Sequence, residues 1–213
     1  FGLGRTLGID LPGEEAGILH PPHAWSKLKA TRMAIGQGVA VTALQMLGIY
    51  CTIANDGFLM RPHIIKRIAA PDGTVLTRSE PEVVSRPISY ETAATMRHLL
   101  SRVTESGGTG RRAAVDGIRV AGKTGTAQKP EDGGYSSTAH VASFVGFLPA
   151  GDPEIGIIVV VDEPTDIHTG GRVAAPAFKT IADQTIRYMD VATPGALYAR
   201  GDRVSAGRAA RRN

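Results

Sequence analysis

The 213-residue sequence predicts an α+β fold, an antiparallel sheet covered by helices, and three observations carry that reading. Two stretches in the first half space their apolar residues as helices do. Three later stretches have strand length and apolar or β-branched character, and the segments joining them are short enough for antiparallel neighbours. A last helical stretch presents one apolar face, suited to packing along such a sheet.

In chain order, residues 1–30 are dense in Gly and Pro, with Asp10-Leu11-Pro12-Gly13-Glu14 and His20-Pro21-Pro22-His23, and predict an extended, looped segment. Residues 41–55 place Leu44, Leu47, Tyr50, Cys51 and Ala54 on one broad helical face, with Thr42 as a candidate cap and Asn55-Asp56-Gly57 as the stop. Residues 58–86 alternate short β-branched runs with Pro62, Pro71-Asp72-Gly73 and Pro81, which predicts a hairpin with a tight turn. A second helix follows Ser89, with Ala93, Met96, Leu99, Leu100 and Val103 as its apolar stripe and Gly107-Gly108 as its end. The strand candidates are 118–127, 140–148 and 154–162; the last is continuously apolar and predicts burial on both faces, whereas His140 and Ser143 mark the middle one as lining a surface or cleft. The final helix is expected to start close to Pro176, after Gly170-Gly171, with Ala174, Ala177, Phe178, Ile181, Thr185 and Tyr188 on its inner face.

A hydrophobic content of 42% over this length supports one sizeable core, so residues 1–191 are expected to form one domain or most of one. No apolar run approaches the roughly 18 residues that cross a bilayer. Lone Cys51 has no partner for an internal disulfide and is expected to be a small buried hydrophobe. The net charge of +4 is concentrated in residues 192–213, where five arginines face only Asp202; this composition predicts a solvated, disordered tail rather than a nucleic-acid site.

Lys123-Thr124-Gly125-Thr126 follows the predicted strand 118–122 and has the form of the K-T-G element of penicillin-recognising serine enzymes. Three residues alone are weak evidence, but their surroundings are specific. Phe1-Gly2-Leu3-Gly4, residues 6–14 (Thr6 to Glu14), Gly36-Gln37-Gly38, Val41-Thr42, Val120 to Gln128, Ala142-Ser143-Phe144-Val145-Gly146-Phe147 and Gly170-Gly171 with Ala174-Ala175-Pro176 together resemble the C-terminal part of the transpeptidase domain of class B penicillin-binding proteins. The Ala142-Ser143-Phe144 form resembles the septal, cell-division branch.

That resemblance implies a penicillin-binding transpeptidase fold, incomplete here, and peptidoglycan D,D-transpeptidation through a serine acyl-enzyme. It implies no cofactor and no metal. It also implies peptidoglycan stem peptides ending in D-Ala-D-Ala and β-lactams as ligands, a membrane glycan polymerase and other division proteins as partners, and an inner-membrane anchor outside this chain. By the same resemblance Lys123 supplies positive charge at the substrate carboxylate and in proton transfer, Thr124 and Thr126 bind that carboxylate, Gly125 lets the substrate lie along the strand, and the Thr126 N–H forms half of an oxyanion hole.

The family's S-x-x-K and S-x-N elements are expected upstream of Phe1. A literal S-x-x-K occurs at Ser26-Lys27-Leu28-Lys29, but it follows the Phe1–Glu14 landmark instead of preceding it, and we read it as a chance match. His20 and His23 are separated by two prolines and lack further ligands for a metal. Asp162, Glu163 and Asp166 are expected in solvent, and His168 either near a cleft rim or on the surface. The alternatives left open are a β-lactamase or carboxypeptidase of the same fold, a non-catalytic β-lactam sensor or pseudoenzyme scaffold, and a polyanion-binding module using the arginine tail.

Overall fold

The computed structural model describes residues 1–26, 31–33, 36–131 and 134–191, so the arginine-rich segment 192–213 lies outside the described residues. The chain divides into two compact units, Phe1–Arg97 and His98–Asn213.

In the first unit, the opening loop is organised by two side chains. The Glu14 carboxylate accepts the N–H groups of Leu7 (2.5 Å), Gly8 (2.9 Å) and Ile9 (3.2 Å). Buried Gln45 donates to the carbonyls of Arg5 and Ala16, each at 2.8 Å. The same Gln45 completes a capping box with Thr42 at the start of helix α1 (Ala43–Ala54). Asn55 caps the far end, and Gly57 takes φ +92° where an added Cβ would lie 2.2 Å from the Ile88 carbonyl oxygen. The predicted hairpin is present as a long arm: β1 (Leu59–Met60) pairs with β4 (Val83–Ser85), and beyond them β2 (Arg67–Ala69) pairs with β3 (Val75–Arg78). Helix α2 (Tyr90–Ser101) receives its cap from Ser89, whose Oγ accepts the Thr92 N–H at 3.2 Å. Ala93 and Leu100 of its predicted stripe are buried, but Leu99 is 54% exposed.

The second unit carries β5 (Ala121–Glu131), β6 (Gly134–Leu148) and β7 (Ile155–Asp162) in the antiparallel order β5-β6-β7, with helix α3 (Gly170–Met189) packed on the sheet. Its core joins Val120, Phe144, Leu148 and Ile155 to Ala174, Phe178, Ala182 and Ile186, and Phe144 meets Phe178 edge to face at 4.7 Å.

Several expectations are corrected. Strand β5 starts at Ala121, because Ile118 is bridged to Val115 in a turn and the Arg119 carbonyl is taken by Ala150. Strand β7 is not buried on both faces: among the described residues it pairs with β6 alone, and Val160 is 47% exposed. Helix α3 begins at Gly170 and runs through Pro176. That proline removes only the hydrogen bond to Arg172, and the burial of Ala174, Ala175 and Phe178 on either side outweighs it. The inner face of α3 is also displaced from the predicted one. Ala174, Phe178, Ala182 and Ile186 form a four-residue-spaced ridge against the sheet, while Ile181 and Tyr188 lie outside it.

Candidate active site

Lys123-Thr124-Gly125-Thr126 lies within the body of β5, not at its end, and each residue has a defined partner on β6: Lys123 faces Val145, Thr124 Phe144, Gly125 Ser143 and Thr126 Ala142. Side chains alternate across a strand, so Lys123 and Gly125 share one face and the two threonines the other. The threonine face is backed by the start of α3. The Gly170 N–H donates to Thr126 Oγ1 at 3.2 Å, and a Cβ on Gly171 would lie 3.4 Å from Thr124 Cγ2.

The Thr126 hydroxyl accepts from Gly170 and therefore keeps its own proton free to donate. Thr124 Oγ1 lies 3.2 Å from Thr109 Oγ1, which leaves this hydroxyl pair able to offer one more proton outward. Lys123 is exposed. Its ammonium donates to the Thr124 carbonyl at 2.9 Å, and no carboxylate among the described residues pairs with it. Such a cation is available to an incoming anion.

Glycine is required at two points. A Cβ on Gly125 would lie 2.3 Å from Ser143 Oγ, and one on Gly170 would lie 2.2 Å from the Ser143 carbonyl oxygen and 2.3 Å from that of Gly125. Strand β5 pairs with β6 alone among the described residues, so no strand covers its other edge along the same four residues.

Thr109 and the Gly170 N–H were not anticipated as parts of the site. The sequence signal for Thr109 is the run Gly107-Gly108-Thr109-Gly110, of which Gly107-Gly108 is expected only as a helix end. A Cβ on Gly108 would fall 2.2 Å from the Val103 carbonyl oxygen and one on Gly110 2.6 Å from the Phe144 ring, so only glycines let this loop close onto the sheet and deliver the threonine.

Beyond the motif, Lys129 of β5 bridges Asp162 (3.1 Å) and Glu163 (2.6 Å) at the end of β7. These hydrogen bonds, Glu163 first, raise the Lys129 pKa. The two carboxylates are exposed, as expected, yet both are paired. Buried His140 stacks on exposed His168 with ring centroids 4.3 Å apart, and Ser143 is half-buried against Gly125.

Ser26 is exposed after a short 3-10 turn, Pro22–Ala24, and Lys29 lies outside the described residues. Cys51 is not buried as expected. It lines an apolar cavity of about 410 Å3 with Leu7, Leu44, Leu47, Phe58 and Leu59. Those walls push its thiol pKa up, which disfavours the thiolate that a nucleophile needs.

An antiparallel sheet whose edge strand bears Lys-Thr-Gly-Thr and is backed by a C-terminal helix defines the class of penicillin-recognising serine enzymes. Residues 1–183 match the penicillin binding protein transpeptidase domain, and the chain belongs to that family. It is 42% identical over 201 residues to penicillin-binding protein PbpB of Mycolicibacterium smegmatis, covering 90% of this chain and 31% of that protein. It is 40% identical to stage V sporulation protein D of Bacillus subtilis, covering 90% of this chain and 30% of that protein. The crystal structure of penicillin-binding protein 3 from Mycobacterium tuberculosis superposes with a TM-score of 0.82 at 39% identity, over 90% of this chain and 45% of that one. The chain thus spans about a third of these curated relatives and about half of the solved structure.

Proposed function

We propose that the protein to which this chain belongs is a peptidoglycan D,D-transpeptidase. A serine supplied by the S-x-x-K element attacks the carbonyl of the penultimate D-Ala of a stem peptide, the terminal D-Ala leaves, and the amine of a second stem takes the acyl group. The observation that carries this reading is Lys123, a cation that no carboxylate among the described residues pairs with, on a strand edge with two threonine hydroxyls and a glycine in the same run.

In this reading the terminal carboxylate of the donor stem lies against the Lys123 ammonium and accepts from the Thr124 and Thr126 hydroxyls. The substrate backbone runs along the outer edge of β5 as an added strand, which Gly125 leaves clear. The Thr126 N–H supplies half of the oxyanion hole. Preorganised charge of this kind acts on the oxyanion as it forms. β-Lactams present the same carboxylate and a strained amide, and structures of the Mycobacterium tuberculosis relative are described as complexed with aztreonam and ampicillin. The Ala142-Ser143-Phe144 form on β6 supports a septal role. An inner-membrane anchor, a catalytic domain on the outer side of that membrane, and a glycan polymerase among its partners complete the proposal.

The test is covalent labelling of the full-length protein by a fluorescent penicillin, with the adduct mapped by mass. Labelling is expected on a serine other than Ser26. Lys123→Ala should slow it about 100-fold, and Ser26→Ala should leave it unchanged. A folded full-length protein that takes no label would instead be a sensor or pseudoenzyme scaffold, and rapid release of the acyl group would indicate a β-lactamase.

A further inference from the structure

Among the described residues the first unit holds a second open edge, far along the sequence from the Lys123 motif. Every residue of β2, β3 and β4 in the arm is exposed, and Ile68, Val75 and Leu76 are 47%, 48% and 65% exposed. A two-stranded ribbon with no third element is marginal in water. This one is nevertheless firmly mounted at its root: Leu59 is buried, the Asp10 carboxylate accepts the N–H groups of Ile64 (2.8 Å) and Ile65 (2.9 Å), and Ser79 Oγ donates to the Ile65 carbonyl at 2.5 Å.

Strand register defines what the edge offers. Arg67 lies directly opposite Arg78. Ser79 N–H donates to the Lys66 carbonyl at 3.1 Å, so Lys66 and Ser79 are a hydrogen-bonded pair and, by alternation, Arg67 and Arg78 are not. In a pair of that second kind the side chains are closest and the backbone N–H and C=O groups turn outward. Two like charges so placed are unfavourable. Arg78 finds Glu80 at 3.3 Å, but no acidic side chain among the described residues reaches Arg67 or Lys66.

We propose that the outer edge of β2, centred on Arg67, is a docking site for an extended acidic segment of a partner protein. That segment adds as a third strand, its backbone taking the outward N–H and C=O of Arg67 and a carboxylate lying beside the Arg67 guanidinium. Flanking apolar residues of the segment pack against Ile68 and Val75. A lipid surface fits the same residues less well. The exposed apolar side chains lie on both faces of the ribbon, Ile68 with Thr77 on one and Ala69 with Val75 on the other, and an apolar medium offers nothing to the open edge.

The experiment uses the full-length protein and two synthetic nine-residue peptides, each alternating Thr and Val around a central Glu or a central Lys, with phosphatidylglycerol vesicles as a third probe. Binding is followed by fluorescence anisotropy, and backbone protection of residues 59–85 by hydrogen exchange. The glutamate peptide is expected to bind at least 10-fold tighter than the lysine peptide and to protect the Arg67 amide. Arg67→Glu should reverse the preference while penicillin labelling is unchanged. Equal binding of the two peptides, binding to vesicles alone, or an Arg67 amide already protected without any probe would each overturn the proposal. The comparison of peptides on the unsubstituted protein stands even if Arg67→Glu does not fold.

Discussion

At the scale of single residues, the site is a set of hydroxyls and one ammonium whose directions are set by neighbours. Gly125 illustrates how narrow the tolerance is. Its missing side chain is filled by Ser143 Oγ, so Gly125→Ala should displace the strand and slow penicillin acylation of the full-length protein, while Gly125→Ala with Ser143→Gly should restore a large part of the rate. Rates for the two variants measured side by side decide this; failure of the second substitution to recover activity would show that the glycine serves the ligand and not Ser143. Asp10 provides a pH-dependent case. Its two backbone hydrogen bonds, to Ile65 and then Ile64, hold its pKa below the ordinary 3.8. A depressed folded pKa means that the stabilisation is complete above 3.8 and is lost as pH falls from there through the lower folded value. The Ile64 and Ile65 amide resonances should therefore titrate below 3.8, and Asp10→Asn should remove that titration.

At the scale of elements, α3 carries the second unit. Its ridge of Ala174, Phe178, Ala182 and Ile186 lets the helix lie close to the sheet, and Phe178 is fully buried against Phe144. Phe178→Ala should cost about 3–5 kcal/mol, read from the denaturant midpoint of the full-length protein or its isolated transpeptidase domain. A loss below 1 kcal/mol would mean that the helix is not a principal support of this sheet. Helix and site are also coupled, because the first residue of α3 donates to Thr126. Displacing the helix start therefore changes the direction of the Thr126 hydroxyl without touching the motif.

At the scale of the whole molecule, the net charge and the Lys123–Thr126 motif are separate in the sequence. Five arginines and Asp202 in residues 192–213 account for the net +4, so the remainder of the chain is formally neutral. Deleting those residues from the full-length protein should leave the rate of penicillin labelling within about twofold at 0.1 M salt, where exposed charges are screened over roughly 10 Å. A larger, salt-sensitive loss would assign the tail to the reaction.

The sequence by itself determined the α+β class, both early helices with their Thr42 and Ser89 caps, the arm, the three antiparallel strands in order and the Lys123–Thr126 motif. These are set by periodicity, capping and turn chemistry within a few residues of chain, and by motif spacing, all of which are local. Only the tertiary structure decided that α3 runs through Pro176, that β7 is half exposed, that Cys51 lines a cavity, and that Thr109 and Gly170 meet the two motif threonines. Each of these depends on which surfaces come together across many residues: burial overrides a proline penalty, strand order determines which faces are covered, and glycine gaps admit close approach only when a specific neighbour is there to fill them.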